Sequence, residues 1–266
     1  MIATRAVLAL PVVWAWAAWR VGLREMLGAP RPALAGAAVA GVLCYYVGTL
    51  FNFYALTLVD ASVERVLLFS YPSIVVLLHS VLHRRLPTRR TVAALVLTYA
   101  GILMVVSGLD PAILRANLKG AGLVLVCALT FSVYYLASDR WTPRLGSITF
   151  TVAALTAATA CLAVHALVRG SHEASPWNPD TTLLMLGLVV IGTVLPMLSM
   201  AEGVRRLGAQ RAAVVSTIGP PTTIFLGAWL LGERLTAAQW AGVLLIVAGI
   251  LVLEALRRRA PGPAPD

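Results

Sequence analysis

Charge is scarce in this 266-residue chain, and acid is scarcer than base. Only 12% of residues are charged, with 11 Asp and Glu against 21 Lys and Arg. A soluble domain draws about a quarter of its residues from these types, so the shortage excludes an ordinary water-facing surface. Cysteine is equally sparse: Cys44, Cys127 and Cys161 stand singly in apolar stretches, without C-x-x-C spacing or an even-numbered set. That excludes a disulfide framework and leaves them as small packing residues. No G-x-S-x-G, H-E-x-x-H or phosphate-cradling P-loop occurs, and most acids sit at the ends of apolar runs or in loops. The reading is therefore of no enzyme, no catalytic residue, no cofactor and no metal site. His79 and His83 share a helical spacing of four but run into the Arg84–Arg90 cluster, with no third ligand visible.

Apolar residues fill the space that charge leaves: they make up 59% of the chain, and the mean hydropathy is +0.86. Nearly uncharged runs of about 18 or more residues, long enough to cross a ~30 Å hydrocarbon core as helix, recur along the sequence. Nine spans are expected, at 3–22, 33–57, 63–82, 91–108, 119–138, 147–168, 181–203, 211–231 and 238–256. The runs are continuous rather than alternating, which excludes a transmembrane barrel. They lack the polar outer faces that a soluble bundle requires. The fold class is an all-α polytopic membrane protein. A net charge of +10 could suggest nucleic acid, but the basic residues cluster at span ends rather than in a stripe with aromatics, so no nucleic-acid partner is expected.

Those basic residues orient the chain. With the N-terminus outside, the inner segments hold Arg20, Arg24 and Arg31, then Arg84, Arg85, Arg89 and Arg90. They also hold Arg140 and Arg144, Arg205, Arg206 and Arg211, and Arg257 to Arg259. The outer segments hold only Arg5, Arg65, Arg115, Lys119, Arg169 and Arg234. The C-terminus is thus expected in the cytoplasm, on a cytoplasmic (inner) membrane. An N-terminal secretory signal is the rival reading of Arg5 and Ala15-Trp16-Ala17, opposed by the arginines that follow.

The sequence also repeats itself. LHRRLPTRRTVAALVLTYAGILMVV (82–106) returns as LLGERLTAAQWAGVLLIVAGILVL (230–253), with Pro72 matching Pro221, Arg84 matching Glu233 and Gly101 matching Gly249. The first of these loops lies on the basic, inner side and its counterpart on the outer side, so the halves are inverted. Two repeats are drawn at 1–108 and 119–256, with 257–266 a disordered cytoplasmic tail. Inverted repeats are the architecture of secondary transporters.

The segments YYLASDRW, RRLGAQRAAVVSTIGPP and LLGERLT, followed by a G-x6-G helix (Gly242, Gly249), resemble an EamA-type module of the drug/metabolite transporter superfamily. The resemblance covers almost the whole chain and implies ten helices as two inverted five-helix repeats. It further implies export of small organic metabolites or drugs. Here the pattern is 4+5, because 1–22 aligns with 149–170 and the family's first helix has no counterpart. Either the true start lies upstream of Met1, or this is a nine-span variant that works with a partner or not at all. Substrate, homo-oligomeric state and coupling ion stay open.

Candidate site residues are those where polarity enters the spans. Tyr45, Thr49 and Asn52 share one helical face, as do Thr130, Tyr134 and Ser138, and both stripes could line a route or tie helices together. Pro72, Pro220 and Pro221 would break matching helices of the two repeats, with Tyr71, Ser73, Ser216 and Thr217 beside them. Glu202 is the candidate proton or substrate-amine site, and a carboxylate paired with Arg205 or Arg206 is the alternative. Gly232, Glu233 and Arg234 are read as a structural chain reversal. The partners expected are a small organic substrate and the lipid bilayer.

A membrane-impermeant thiol reagent should leave a cysteine placed after Arg259 unlabelled in intact cells and label it once the cells are opened. Labelling of intact cells would reverse the orientation.

Overall fold

The computed structural model describes residues 2–59, 64, 67–84, 86–105, 118–169, 186–219, 222 and 237–254. Among these every regular element is a helix. In order they are α1 (Ile2–Arg20), α2 (Leu23–Leu27), α3 (Arg31–Ala55), α4 (Tyr71–His83), α5 (Arg89–Val105), α6 (Leu118–Val168), α7 (Leu186–Leu207), α8 (Ala209–Val215) and α9 (Ala237–Glu254). Three of them, α3, α6 and α7, are long and apolar enough to cross a membrane by length and composition. Large apolar side chains such as Leu82, Val96, Val168, Leu244 and Leu251 are mostly exposed, as on a lipid-facing surface.

Among the described residues the helices depart from the expected spans in three places, the short α2 occupies an expected connection, and most of 211–231 lies outside the described residues. The segment 63–82 reads as one span, but α4 begins only at Tyr71, after a turn at Phe69 and Ser70. Pro72 stands in its first turn, where the missing N–H costs no hydrogen bond. The spans 119–138 and 147–168 are both parts of α6, which runs through the basic segment and breaks at Gly146, with φ 73° and ψ 158°. Only glycine adopts that conformation without strain. The chain reverses there: Tyr134 and Phe150 would stand roughly 24 Å apart along a straight helix, yet their ring centroids are 5.4 Å apart. Finally, α3 and α7 each contain a widened π-helical stretch, at Val42–Gly48 and Val190–Val194. Pro220, Pro221, Gly232, Glu233, Arg234 and the tail 257–266 lie outside the described residues.

The helices form two compact units. The first comprises Met1–Asn52 and Thr130–Ala209, the second Phe53–Leu129 and Gln210–Asp266, so each draws on both halves of the sequence. The first unit has a core of Ala9, Val13 and Ala17 from α1 with Val152, Leu155, Val189 and Met197. A neighbouring cluster seats Ala33, Ala37, Ala40 and Cys44 of α3 against Tyr134, Phe150 and Ala154 of α6. Small residues dominate this seam because membrane helices gain stability from close approach rather than from leaving water.

In the second unit α5 and α9 pack along their length. A Cβ on Gly101 would lie 2.6 Å from the Gly242 carbonyl oxygen and 2.7 Å from Ile246. On the reverse side, one on Gly249 would lie 2.7 Å from Thr98 Oγ1 and 2.9 Å from the Ala94 carbonyl oxygen. Each helix presents a glycine to the other, and the two glycines are the positions that the sequence repeat equates.

Gly101→Leu should therefore lower stability by about 2–3 kcal/mol, since the Gly242 carbonyl and the Ile246 amide in its way are backbone and cannot swing aside. Gly122→Ala, with nothing within 4 Å, should leave the melting temperature in detergent unchanged or slightly raised. Equal effects would rule out the close crossing.

Candidate functional site

Most polar candidates of the first unit gather where α3 meets α6 and α7. Tyr45 lies within the π-helical stretch of α3, and its ring meets Tyr134 edge-on with centroids 4.9 Å apart. Tyr134 is wholly buried and stands in turn against Phe150, so it backs Tyr45 rather than facing open space. Thr130, one turn earlier on α6, is buried against Gly48. Ser138 continues that stripe and is also buried. Asn52 carries its Oδ1 buried without a hydrogen-bond partner.

A small cavity of about 50 Å³ opens between these helices and α1. Tyr45 and Thr49 line it together with Arg5, Thr159, Thr193 and Met197. Its other polar members, Arg5, Thr159 and Thr193, are not among the candidates that the sequence offers. Arg5 serves in the sequence as a marker of topology and of a rival secretory signal, although it is an ionisable group inside the first span. Thr159 and Thr193 were hidden among apolar neighbours, Thr159 standing three residues after Thr156. Thr156 accepts a hydrogen bond from Trp14 Nε1 at 3.1 Å.

Glu202 sits elsewhere in this unit, near the C-terminal end of α7. Its carboxylate accepts from Arg205 at 2.6 and 2.8 Å, from Arg206, and from Ser147 Oγ at 2.7 Å. The pairing weighed as an alternative in the sequence is thus the geometry observed, with Ser147, just after the Gly146 break, added to it. An open pocket of about 230 Å³ adjoins the cluster, lined by Thr142, Gly146, Ser147, Glu202 and Arg205. Nearby on α6, the guanidinium groups of Arg140 and Arg144 lie 5.1 and 5.4 Å from the Trp141 ring centroid, an arrangement suited to a membrane interface.

The second unit holds the remaining described candidates. The Tyr71 and Ser216 hydroxyls are hydrogen-bonded to one another, joining the start of α4 to the 3₁₀ turn Ser216–Ile218 that follows α8. Ser216 also donates to the Ala213 carbonyl at 2.7 Å, and the buried Thr217 to that of Val214 at 2.6 Å. Ser73 is half-buried two residues beyond Tyr71. Tyr99 of α5 donates to the Phe69 carbonyl at 2.8 Å, satisfying an acceptor left by the turn before α4. Further along α4, Gln210 Nε2 lies 3.0 Å from His79 Nδ1, while the His79 and His83 rings stack at 4.0 Å.

These placements separate packing from lining. Tyr134→Ala should destabilise the fold by about 3–5 kcal/mol, read as early aggregation on heating. Tyr45→Phe, which keeps the ring contact, should leave the melting temperature near that of the unaltered chain.

The comparisons with known proteins point one way. The EamA-like transporter family matches residues 1–107 and again 118–254. The chain is similar to the uncharacterized transporter YcbK of Bacillus subtilis strain 168, with 31% identity over 254 residues that cover 92% of this chain and 81% of that protein. An uncharacterized transporter of Archaeoglobus fulgidus is 25% identical over 94% of this chain and 86% of its own length. A solved crystal structure shares the fold, with a TM-score of 0.79 at 22% identity, covering 97% of this chain and 87% of that one. The chain is an all-α, multi-pass membrane protein and belongs to the EamA-like transporter family.

Proposed function

We propose that the chain is a secondary transporter that exports a small organic molecule across the cytoplasmic membrane by alternating access of its two inverted repeats. The observation that carries this reading is the reciprocal crossing of α5 and α9 through Gly101 and Gly249. A chain whose halves meet through equivalent residues can exchange the roles of those halves about a central site, which is what alternating access requires. Family membership supports transport of a small solute, and the relatives' names leave its identity open. The arginine distribution supports a cytoplasmic C-terminus. The partners in this reading are the substrate and the bilayer.

The engagement of Glu202 favours a second reading for energy coupling. Its carboxylate is held by two guanidinium groups and a hydroxyl, which leaves little reason for it to take up a proton during the cycle. We therefore place Glu202 as a tie between α7 and the start of the second arm of α6, with uniport or exchange as the mode that does not need it to titrate.

Inside-out membrane vesicles containing the chain should accumulate one or more members of a panel of amino acids, nucleosides and amphipathic amines above vesicles without it. Glu202→Gln should retain uptake within about threefold, as expected for a partly exposed ion pair, and should respond to a protonophore as the unaltered chain does. No uptake of any member would sink the transport reading. Loss of the protonophore response in Glu202→Gln alone would return that carboxylate to the coupling step.

A further inference from the structure

The cavity beside Tyr45 carries chemistry that the general transport reading leaves unused. The Oγ1 atoms of Thr159 and Thr193 are buried without a hydrogen-bond partner, and Thr159 is 2% exposed. A hydroxyl stranded in an apolar bundle is costly unless something binds it, and threonines in membrane helices ordinarily satisfy themselves on a neighbouring carbonyl or helix. Several threonines of this chain do so: Thr142 and Thr151 donate to carbonyls four residues back, at 2.7 and 2.8 Å. Thr159 and Thr193 do not, and both line the same cavity.

Two further observations converge on that spot. Arg5 also lines the cavity and makes no ion pair among the described residues. A guanidinium within a membrane span normally has a carboxylate or other acceptor to hold. In addition, the two π-helical stretches of this unit meet here: Val42–Gly48 supplies Tyr45 and Val190–Val194 supplies Thr193. Such widened turns weaken a helix and recur at functional sites, where they re-aim a side chain. Two in separate helices, each delivering a polar group to one cavity, are difficult to explain by packing alone.

We infer that Arg5, Tyr45, Thr49, Thr159 and Thr193 form a subsite for the carboxylate of a small organic anion, with the guanidinium balancing its charge and the hydroxyls donating to its oxygens. The size agrees. At about 10–15 Å³ per water, the cavity of about 50 Å³ takes a group of three or four heavy atoms, enough for a carboxylate but not for a whole metabolite. The rest of the substrate extends beyond it. One guanidinium matches one negative charge, and it disfavours an ammonium group at the same place. With Arg5 toward the outer end of α1 in the orientation drawn from the arginines, the subsite lies in the outer half of the membrane. The inference rests on the transport reading for its biological meaning, though not for its chemistry.

The test uses the full chain in lipid nanodiscs at constant ionic strength. Acetate, butyrate and phenylacetate are compared by thermal shift with the alcohols and amines of the same carbon skeletons. At least one carboxylate should raise the melting temperature saturably while its alcohol and amine do not. Arg5→Gln should weaken that effect at least tenfold, Arg5→Lys less, and Thr159→Val and Thr193→Val each by about threefold. The valine variants keep the side-chain shape, so they report on the hydroxyls even where Arg5→Gln fails to fold. The subsite is overturned if no carboxylate outperforms its alcohol, or if Arg5→Gln and both valine variants respond as the unaltered chain does. Vesicle uptake of neutral and cationic compounds separates the two ideas. Uptake without carboxylate binding removes the subsite and leaves the transporter. Arg5-dependent binding without uptake of any compound supports the subsite and removes the transport reading.

Discussion

A backbone inside hydrocarbon has no water to satisfy its amides, and this constraint governs the rest of the molecule. Each segment closes its own hydrogen bonds as helix, and the helices must then find stability without a hydrophobic driving force between them. They find it by coming close. In the second unit α5 and α9 approach until the Gly242 carbonyl and the Thr98 hydroxyl occupy the places where side chains would otherwise stand. In the first, alanines of α3 lie against α6. Many leucines, Leu77, Leu82 and Leu244 among them, face outward and supply solubility in lipid rather than cohesion.

Against that background the irregular segments are informative, because each sacrifices helix stability. The π-helical stretches of α3 and α7, the turn before Pro72 and the reversal at Gly146 are the places where polar groups collect. Some of those groups have been absorbed structurally. Tyr99 caps the carbonyl freed at Phe69, Tyr71 joins Ser216, and Ser147 completes the shell around Glu202. Others have not: Thr98 faces the Gly249 crossing without a hydrogen-bond partner, whereas Thr159 and Thr193, equally without one, share a cavity.

The all-helical fold was legible because it depends on a long-range regularity, namely the length of the apolar runs. Gly101 and Gly249 could be paired by subtraction alone, and the close crossing supplies the physical reason for having glycine at both. Less was legible where one residue decides the backbone. Gly146 reads as an ordinary glycine among loop residues until its positive φ is known, and the span boundary near 138 followed from arginines that in fact ride on the helix. The candidate site divided similarly. Spacing found Tyr45 and Thr49, because they share a helix, but it could not bring Arg5, Thr159 and Thr193 to them from three other helical segments. It also could not tell that Tyr134, on an equally regular stripe, is enclosed by Phe150 and Tyr45.

The hairpin in α6 bears on how the protein is made. With a single glycine between its arms, no loop exists in which one arm could wait in water while the other enters the bilayer. The packing of Tyr134 on Phe150 is available to the two arms as soon as both are made, before any later helix is synthesised. The closed hairpin then has α1 and α3, already synthesised, to pack against before α7 is added as the ribosome releases it.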